Sequence, residues 1–172
     1  MKSIFALVVW LLSPIATLAQ IIKPITWTFS AAKSTVKVGE VIRLNLTATI
    51  KSGYHIYSSV SNPKIEGPLP TAFSFHANKT YELIGQVKPV SQVKTKYEEV
   101  FEGDTYLMHG MARFVQMIRI LAPQPQISGM VSYQVCTDDD GECISGEEDF
   151  VIRGLSVLAA SAPAVVRPPV KH

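Results

Sequence analysis

Between residues 42 and 51 the chain reads Ile-Arg-Leu-Asn-Leu-Thr-Ala-Thr-Ile-Lys, apolar at every even position and polar at every odd one. Successive side chains point to opposite faces of a pleated strand, so this pattern buries one face and wets the other; a helix, with 3.6 residues per turn, would scatter it around its circumference. Shorter runs rich in β-branched and aromatic residues repeat the theme at 25–29, 54–57, 71–75, 81–87, 106–121, 130–135 and 150–158. Turn-forming clusters stand between them: Lys37-Val38-Gly39, Lys51-Ser52-Gly53, Asn62-Pro63, Gly67-Pro68-Leu69-Pro70, His76-Ala77-Asn78, Ala122-Pro123-Gln124-Pro125 and Asp140-Gly141. No window sustains an apolar stripe at i, i+3, i+4, i+7. Seven or more short strands in one domain predict an all-β fold, an immunoglobulin-like antiparallel β-sandwich, with a closed barrel as the other topology such a pattern allows.

The two ends read differently. Met1-Lys2-Ser3 supplies a short positive start, residues 4–12 are nine consecutive apolar residues, and Thr17-Leu18-Ala19 places small residues where a signal peptidase reads them. The expectation is a signal peptide over 1–19, a domain over 20–158 and an Ala/Pro-rich tail over 159–172. Nine apolar residues are too few to span a bilayer, no cysteine follows them to carry a lipid, and no later stretch reaches the 18 that a spanning helix needs. The mature chain is therefore expected outside the cytoplasm, where disulfides persist, without stable membrane insertion.

A formal charge of +2 with 17% charged residues gives no electrostatic reason to expect nucleic acid as partner, and 47% hydrophobic residues are too many for a disordered polymer. The near-neutrality is a cancellation. Residues 20–97 hold ten basic and three acidic side chains, whereas residues 98–149 hold two basic and eleven acidic. Glu98, Glu99, Glu102 and Asp104 form one acidic segment; Asp138, Asp139, Asp140, Glu142, Glu147, Glu148 and Asp149 surround the two cysteines.

Those two cysteines cannot build a four-ligand zinc site alone or a dense disulfide framework. Tyr133-Gln134-Val135-Cys136 enters an acidic turn, Thr137 to Glu142, and Cys143 opens the return, so the segment predicts a hairpin with one cysteine on each arm. Six intervening residues separate them, which is not the Cys-x-x-Cys of a thioredoxin site. Closing so short a loop restricts the unfolded chain by only about 2 to 3 kcal/mol, modest for a domain whose core should suffice. From composition and spacing, a structural staple and a redox pair stand level. Carboxylates close to a thiol disfavour its thiolate, so the acids predict a dithiol that is sluggish until a partner changes its surroundings. A calcium loop is a competing reading of Asp138, Asp139, Asp140 and Glu142, but the glycine falls fourth instead of sixth and the twelfth position is Asp149. His55, His76 and His109 are scattered among expected strands and read as core or surface histidines; neither a metal site nor a cofactor is expected. Asn45-Leu46-Thr47 and Asn78-Lys79-Thr80 match glycosylation acceptors, a pattern of low specificity.

Tyr133-Gln134-Val135-Cys136 with Cys143 resembles the cysteine hairpin of the N-terminal periplasmic domain of the DsbD family of bacterial thiol:disulfide interchange proteins. In order along the chain, Ile50-Lys51-Ser52-Gly53-Tyr54-His55-Ile56-Tyr57 is similar to that family's strand before its long loop, and Gly67-Pro68-Leu69-Pro70-Thr71 resembles a phrase of its stand-alone relatives. The resemblance runs from about Trp27 to Ile152. It implies an immunoglobulin-like sandwich whose Cys136 and Cys143 exchange electrons with thioredoxin-fold partners: a membrane-linked donor acting in trans, and a disulfide isomerase or cytochrome c maturation protein as acceptor. On the same resemblance Cys143 forms the mixed disulfide, and Tyr57 with His55 matches an aromatic pair beside the site, His55 standing where a tyrosine is usual. The cysteines lie one residue further apart than is usual there.

The family shields its disulfide with a cap loop bearing a phenylalanine, and Tyr97-Glu98-Glu99-Val100-Phe101-Glu102-Gly103 fits that loop by order, with Tyr97, Glu99 and Phe101 as its site-flanking residues and Gly103 suited to a bend. The function expected is periplasmic thiol–disulfide exchange, of protein-disulfide reductase type; the alternative is a secreted immunoglobulin-like binding module with a purely structural disulfide.

Overall fold

A computed structural model describes residues 23–158, so the expected signal peptide and tail lie outside the described residues. The strands, in chain order, are β1 (Ile25–Ala31), β2 (Thr35–Lys37), β3 (Val41–Ile50), β4 (Tyr54–Tyr57), β5 (Ala72–Phe75), β6 (Tyr81–Pro89), β7 (Lys94–Glu98), β8 (Gly103–His109), β9 (Met111–Ile120), β10 (Ile127–Thr137), β11 (Cys143–Ile152) and β12 (Ser156–Leu158). One 3-10 turn, Glu99–Phe101, joins β7 to β8.

They form an immunoglobulin-like sandwich. One sheet has the order β1-β3-β9-β6; the other runs β11-β10-β4-β8-β7, with β5 also on β10, end to end with β4. The alternation at 42–51 places Ile42, Leu44, Leu46, Ala48 and Ile50 in the core, and β9 answers with Ala112, Phe114, Ile118 and Ile120. Ile56, Met108, Ile127, Val131 and Val135 close the core from the second sheet. Trp27 lies between Phe73, Phe114 and Tyr133, with ring centroids 5.6 to 6.1 Å away.

Three details depart from the sequence expectation. The run 106–121 is two strands in different sheets: β8 ends at His109, Gly110 takes a φ of 60°, and β9 begins on the opposite layer. The chain makes the same change of layer between β3 and β4, and the Ile50 N–H donates to the Gly110 carbonyl at 2.6 Å, tying the two crossings together. The run 150–158 likewise divides between β11 and β12, and β12 pairs with β2 in parallel as a separate two-stranded sheet, while both sheets of the sandwich are antiparallel throughout.

Candidate redox site

Register fixes where the cysteines go. β10 and β11 pair from Ile127↔Ile152 to Cys136↔Cys143, and the Thr137 N–H donates to the Glu142 carbonyl at 3.0 Å beyond that pair. Hydrogen-bonded and non-hydrogen-bonded pairs alternate along an antiparallel ladder, so Cys136 and Cys143 are a non-hydrogen-bonded pair, the kind whose Cα atoms come closest. Their Cα atoms are 4.0 Å apart and the sulfurs are bonded. The acidic segment Asp138 to Glu142 is the tip, with Gly141 at φ 71° making the turn.

Period two then separates chemistry from core. Val135, Ile56 and Met108 form one row across β10, β4 and β8, and all three face the interior. The next row along is Cys143, Cys136, His55 and His109, one residue from each of four adjacent strands, and it faces the opposite side of the sheet. The two sulfurs differ in access. Cys136 has no exposed surface and packs with Tyr57 and Leu107, whereas Cys143 is exposed.

Beside Cys136 stands a cluster that its sequence positions did not announce. The His55 Nδ1 lies 2.7 Å from Asp138 Oδ1, and the His109 Nε2 lies 3.1 Å from the same oxygen. Asp138 is held in place by its backbone N–H, which donates to the Gly53 carbonyl at 2.9 Å. Partial burial opposes the charge of the Asp138 carboxyl, but hydrogen bonds from His55 and His109 prevail, and it titrates below the usual carboxylate range. The acids at the hairpin therefore act less uniformly on the thiols than composition suggests: Asp138 is engaged by two imidazoles, and Asp140 accepts from the Thr137 hydroxyl and the Glu142 N–H.

His55, His109 and Asp138 each offer a donor atom within 4.8 Å of the others. Two ligands of one tetrahedral zinc ion at bond lengths of about 2.0 to 2.1 Å would lie ~3.3 Å apart, so the 2.7 Å between His55 and Asp138 is a hydrogen bond. The other ring nitrogens, His55 Nε2 and His109 Nδ1, are buried without a partner.

His55 is 2% exposed and its ring meets that of Tyr57 edge-on at 5.5 Å. The Tyr57 hydroxyl donates to Glu98 Oε2 at 3.3 Å; the Thr105 hydroxyl donates to the same oxygen at 2.7 Å, and Lys96 Nζ reaches Oε1 at 3.3 Å. Burial, followed by the Glu98 charge and hydrogen bond, pushes the Tyr57 phenol up to about 12.

The expected cap segment spans the β7–β8 turn. Tyr97 is 62% exposed, Glu99 is exposed, and Phe101 is half-buried at the hairpin tip. Glu98, not its neighbour Glu99, is the carboxylate that reaches the wall of the cysteine site. The expected bend at Gly103 is made instead by Glu102, at φ 52°, whose N–H donates to the Glu99 carbonyl; Gly103 is small because Ile65 Cγ2 sits 2.5 Å from where a Cβ would be.

The fold is shared with solved bacterial domains. The chain is similar to the N-terminal periplasmic domain of ScsB from Proteus mirabilis, at 12% identity and a TM-score of 0.55, covering 83% of this chain and 50% of that one, so it spans half the length of that match. It is similar to a chain in the complex between the DsbD and PilB N-terminal domains from Neisseria meningitidis, at 15% identity and a TM-score of 0.50, covering 78% and 87%. It is also similar to the reduced DsbD N-terminal domain of Neisseria meningitidis, at 19% identity and a TM-score of 0.46, covering 66% and 78%. No curated protein matches the chain. Residues 25–154, from the start of β1 to just past the end of β11, match the family model described as "Thiol:disulfide interchange protein DsbD, N-terminal", and the chain belongs to that family.

Proposed function

We propose that the chain is a periplasmic thiol–disulfide exchange module working through Cys136 and Cys143. The observation that carries this reading is the asymmetry of the pair: one bond joins an exposed sulfur to a buried one on the solvent side of a sheet whose core lies on the other face. A partner thiolate can reach Cys143 Sγ and displace Cys136; in the other direction, reduced Cys143 attacks a partner disulfide and Cys136 resolves the mixed disulfide. Two electrons pass, no cofactor is required, and the buried sulfur is out of reach of stray thiols.

Thioredoxin-fold proteins are the proposed partners, with a membrane-linked donor and a disulfide isomerase or cytochrome c maturation acceptor. The complex of a DsbD N-terminal domain with a PilB N-terminal domain supports a protein partner docking on such a fold. Among the described residues no helix is long and apolar enough to cross a membrane. The β7–β8 hairpin is proposed as the cap over the pair, with Phe101 as its apolar tip and Glu98, through Tyr57, as its link to the site. Replacing Cys136 with Ala removes the resolving thiol, so Cys143 should accumulate a mixed disulfide with a thioredoxin-fold protein, visible on a non-reducing gel and absent from the Cys143→Ala variant. Failure to find that adduct in a periplasmic extract would remove the exchange reading.

A further inference from the structure

His55 is the register partner of Cys136 and shares its face of the sheet. Directly opposed residues on one face hold their Cβ atoms about 4.5 to 5.5 Å apart. Both side chains are buried, at 2% and 0% exposure. The imidazole is oriented: its Nδ1 is 2.7 Å from Asp138 Oδ1, and a carboxylate oxygen only accepts, so Nδ1 carries a proton and donates it. In the neutral ring that leaves Nε2 as a bare acceptor, and Nε2 is buried without a hydrogen-bond partner. Such orphans are rare in folded proteins and call for a physical explanation. The neighbouring sulfur supplies one. In the disulfide, Cys136 has no hydrogen to give; on reduction it gains an S–H, the donor that Nε2 lacks.

We propose that His55 is the proton acceptor for Cys136, oriented by Asp138, with His109 on the far side of the same carboxylate. This rests on the exchange reading above and adds an acid–base step to it. After Cys143 has attacked a partner disulfide and formed the mixed disulfide, the Cys136 thiol gives its proton to His55 Nε2. The resulting thiolate attacks Cys143 Sγ, the Cys136–Cys143 bond forms, and the bond from Cys143 to the partner sulfur breaks with its electron pair leaving on that sulfur. The module's dithiol is oxidised to a disulfide and the partner's disulfide is reduced to a dithiol. The imidazolium is stabilised by Asp138, whose side chain is 35% exposed, as is His109 at 30%, so the proton leaves by that edge to solvent. Running backwards, the same imidazolium protonates Cys136 as it departs. The titratable groups facing His55 are Cys136 and Asp138 from β10 and its turn, His109 from β8 and Tyr57 from its own strand. Without His55, the thiol would have to lose its proton within a buried site walled by Tyr57 and Leu107.

The test uses the reduced protein and oxidised glutathione, following by rapid acid quench and mass spectrometry first the glutathione adduct on Cys143 and then its closure to the Cys136–Cys143 disulfide. A positioned acid–base group contributes about 10² to 10⁴ in rate, so His55→Gln should slow closure at pH 7 by at least about tenfold and flatten its dependence on pH, while adduct formation changes less than about twofold. Asp138→Asn, at an exposed position, leaves the fold intact and keeps an acceptor for Nδ1 but removes the charge; closure should slow about threefold or more, with a shifted pH profile. Closure in His55→Gln at the wild-type rate and with the wild-type pH profile would overturn the proposal, as would wild-type behaviour of Asp138→Asn for the orienting role. A wild-type protein that forms no glutathione adduct, or whose adduct never closes, would instead overturn the exchange reading beneath it.

Discussion

Tyr57 offers a perturbation whose size follows from its surroundings. Its phenol is buried against Cys136 and Leu107, faces the Glu98 carboxylate at 3.3 Å, and titrates at about 12. In the unfolded chain a tyrosine titrates near 10. The folded value is raised, so the stabilisation is fully present below pH 10 and is lost as pH rises toward 12: in that window the unfolded chain releases a proton that the folded chain keeps. At pH 11 the unfolded tyrosine is mostly ionised and the folded one mostly neutral, which amounts to about 1 kcal/mol. Tyr57→Phe has no phenol and cannot show this loss. The assay is urea unfolding of wild type and Tyr57→Phe at pH 8 and pH 11. Tyr81 and Tyr133, also pushed up by burial, are present in both proteins and cancel in the comparison. Wild type should lose about 1 kcal/mol more than the variant between the two pH values. Equal losses would refute the burial of the Tyr57 phenol beside the Glu98 carboxylate. At pH 8 the variant should be weaker than wild type by about 0.5 to 1.5 kcal/mol, the net worth of one hydrogen bond.

Reducing the disulfide, or replacing both cysteines with alanine, should lower stability by about 2.5 kcal/mol, the entropy of an eight-residue loop, and leave far-ultraviolet circular dichroism native; unfolding on reduction would make the bond structural. Phe101→Ala should speed reduction of the disulfide by dithiothreitol, and an unchanged rate would take Phe101 out of the cap. In Gly129→Ala a new methyl would meet the Ser74 carbonyl and stand 2.6 Å from the Phe150 ring, so a loss of about 1 to 3 kcal/mol in urea unfolding is expected, and a loss below about 0.5 kcal/mol would contradict that packing.

How far the sequence speaks depends on the range of the interaction. The sandwich was legible because period-two alternation is local: residues 42–51 declare both a strand and the face it buries. The cysteine hairpin was legible for the same reason, since its arms are joined by a short acidic turn. Local patterning also misled where composition continued across a change of layer, as at Gly110, and it missed β7, whose charged sequence Lys-Thr-Lys-Tyr-Glu carries no strand pattern because its side chains are largely exposed at the sheet edge. His55 and His109 stand 54 positions apart and acquire a shared carboxylate only when β4 pairs with both β8 and β10. The one local hint was that each adjoins a glycine turn, Gly53 near His55 and Gly110 after His109, where the chain changes sheets. Glu98 closes β7 and Glu99 opens the 3-10 turn that follows, a boundary that two consecutive glutamates do not reveal, and the register of β7 on β8 decides that Glu98 meets Tyr57.

The most direct measurement is the reduction potential of the Cys136–Cys143 bond, read by equilibration in glutathione buffers. An exchange module must be reducible by its donor and oxidisable by its acceptor, so the potential should lie above about −300 mV. A value below that, with the bond resisting glutathione, would mark a structural staple and contradict the account.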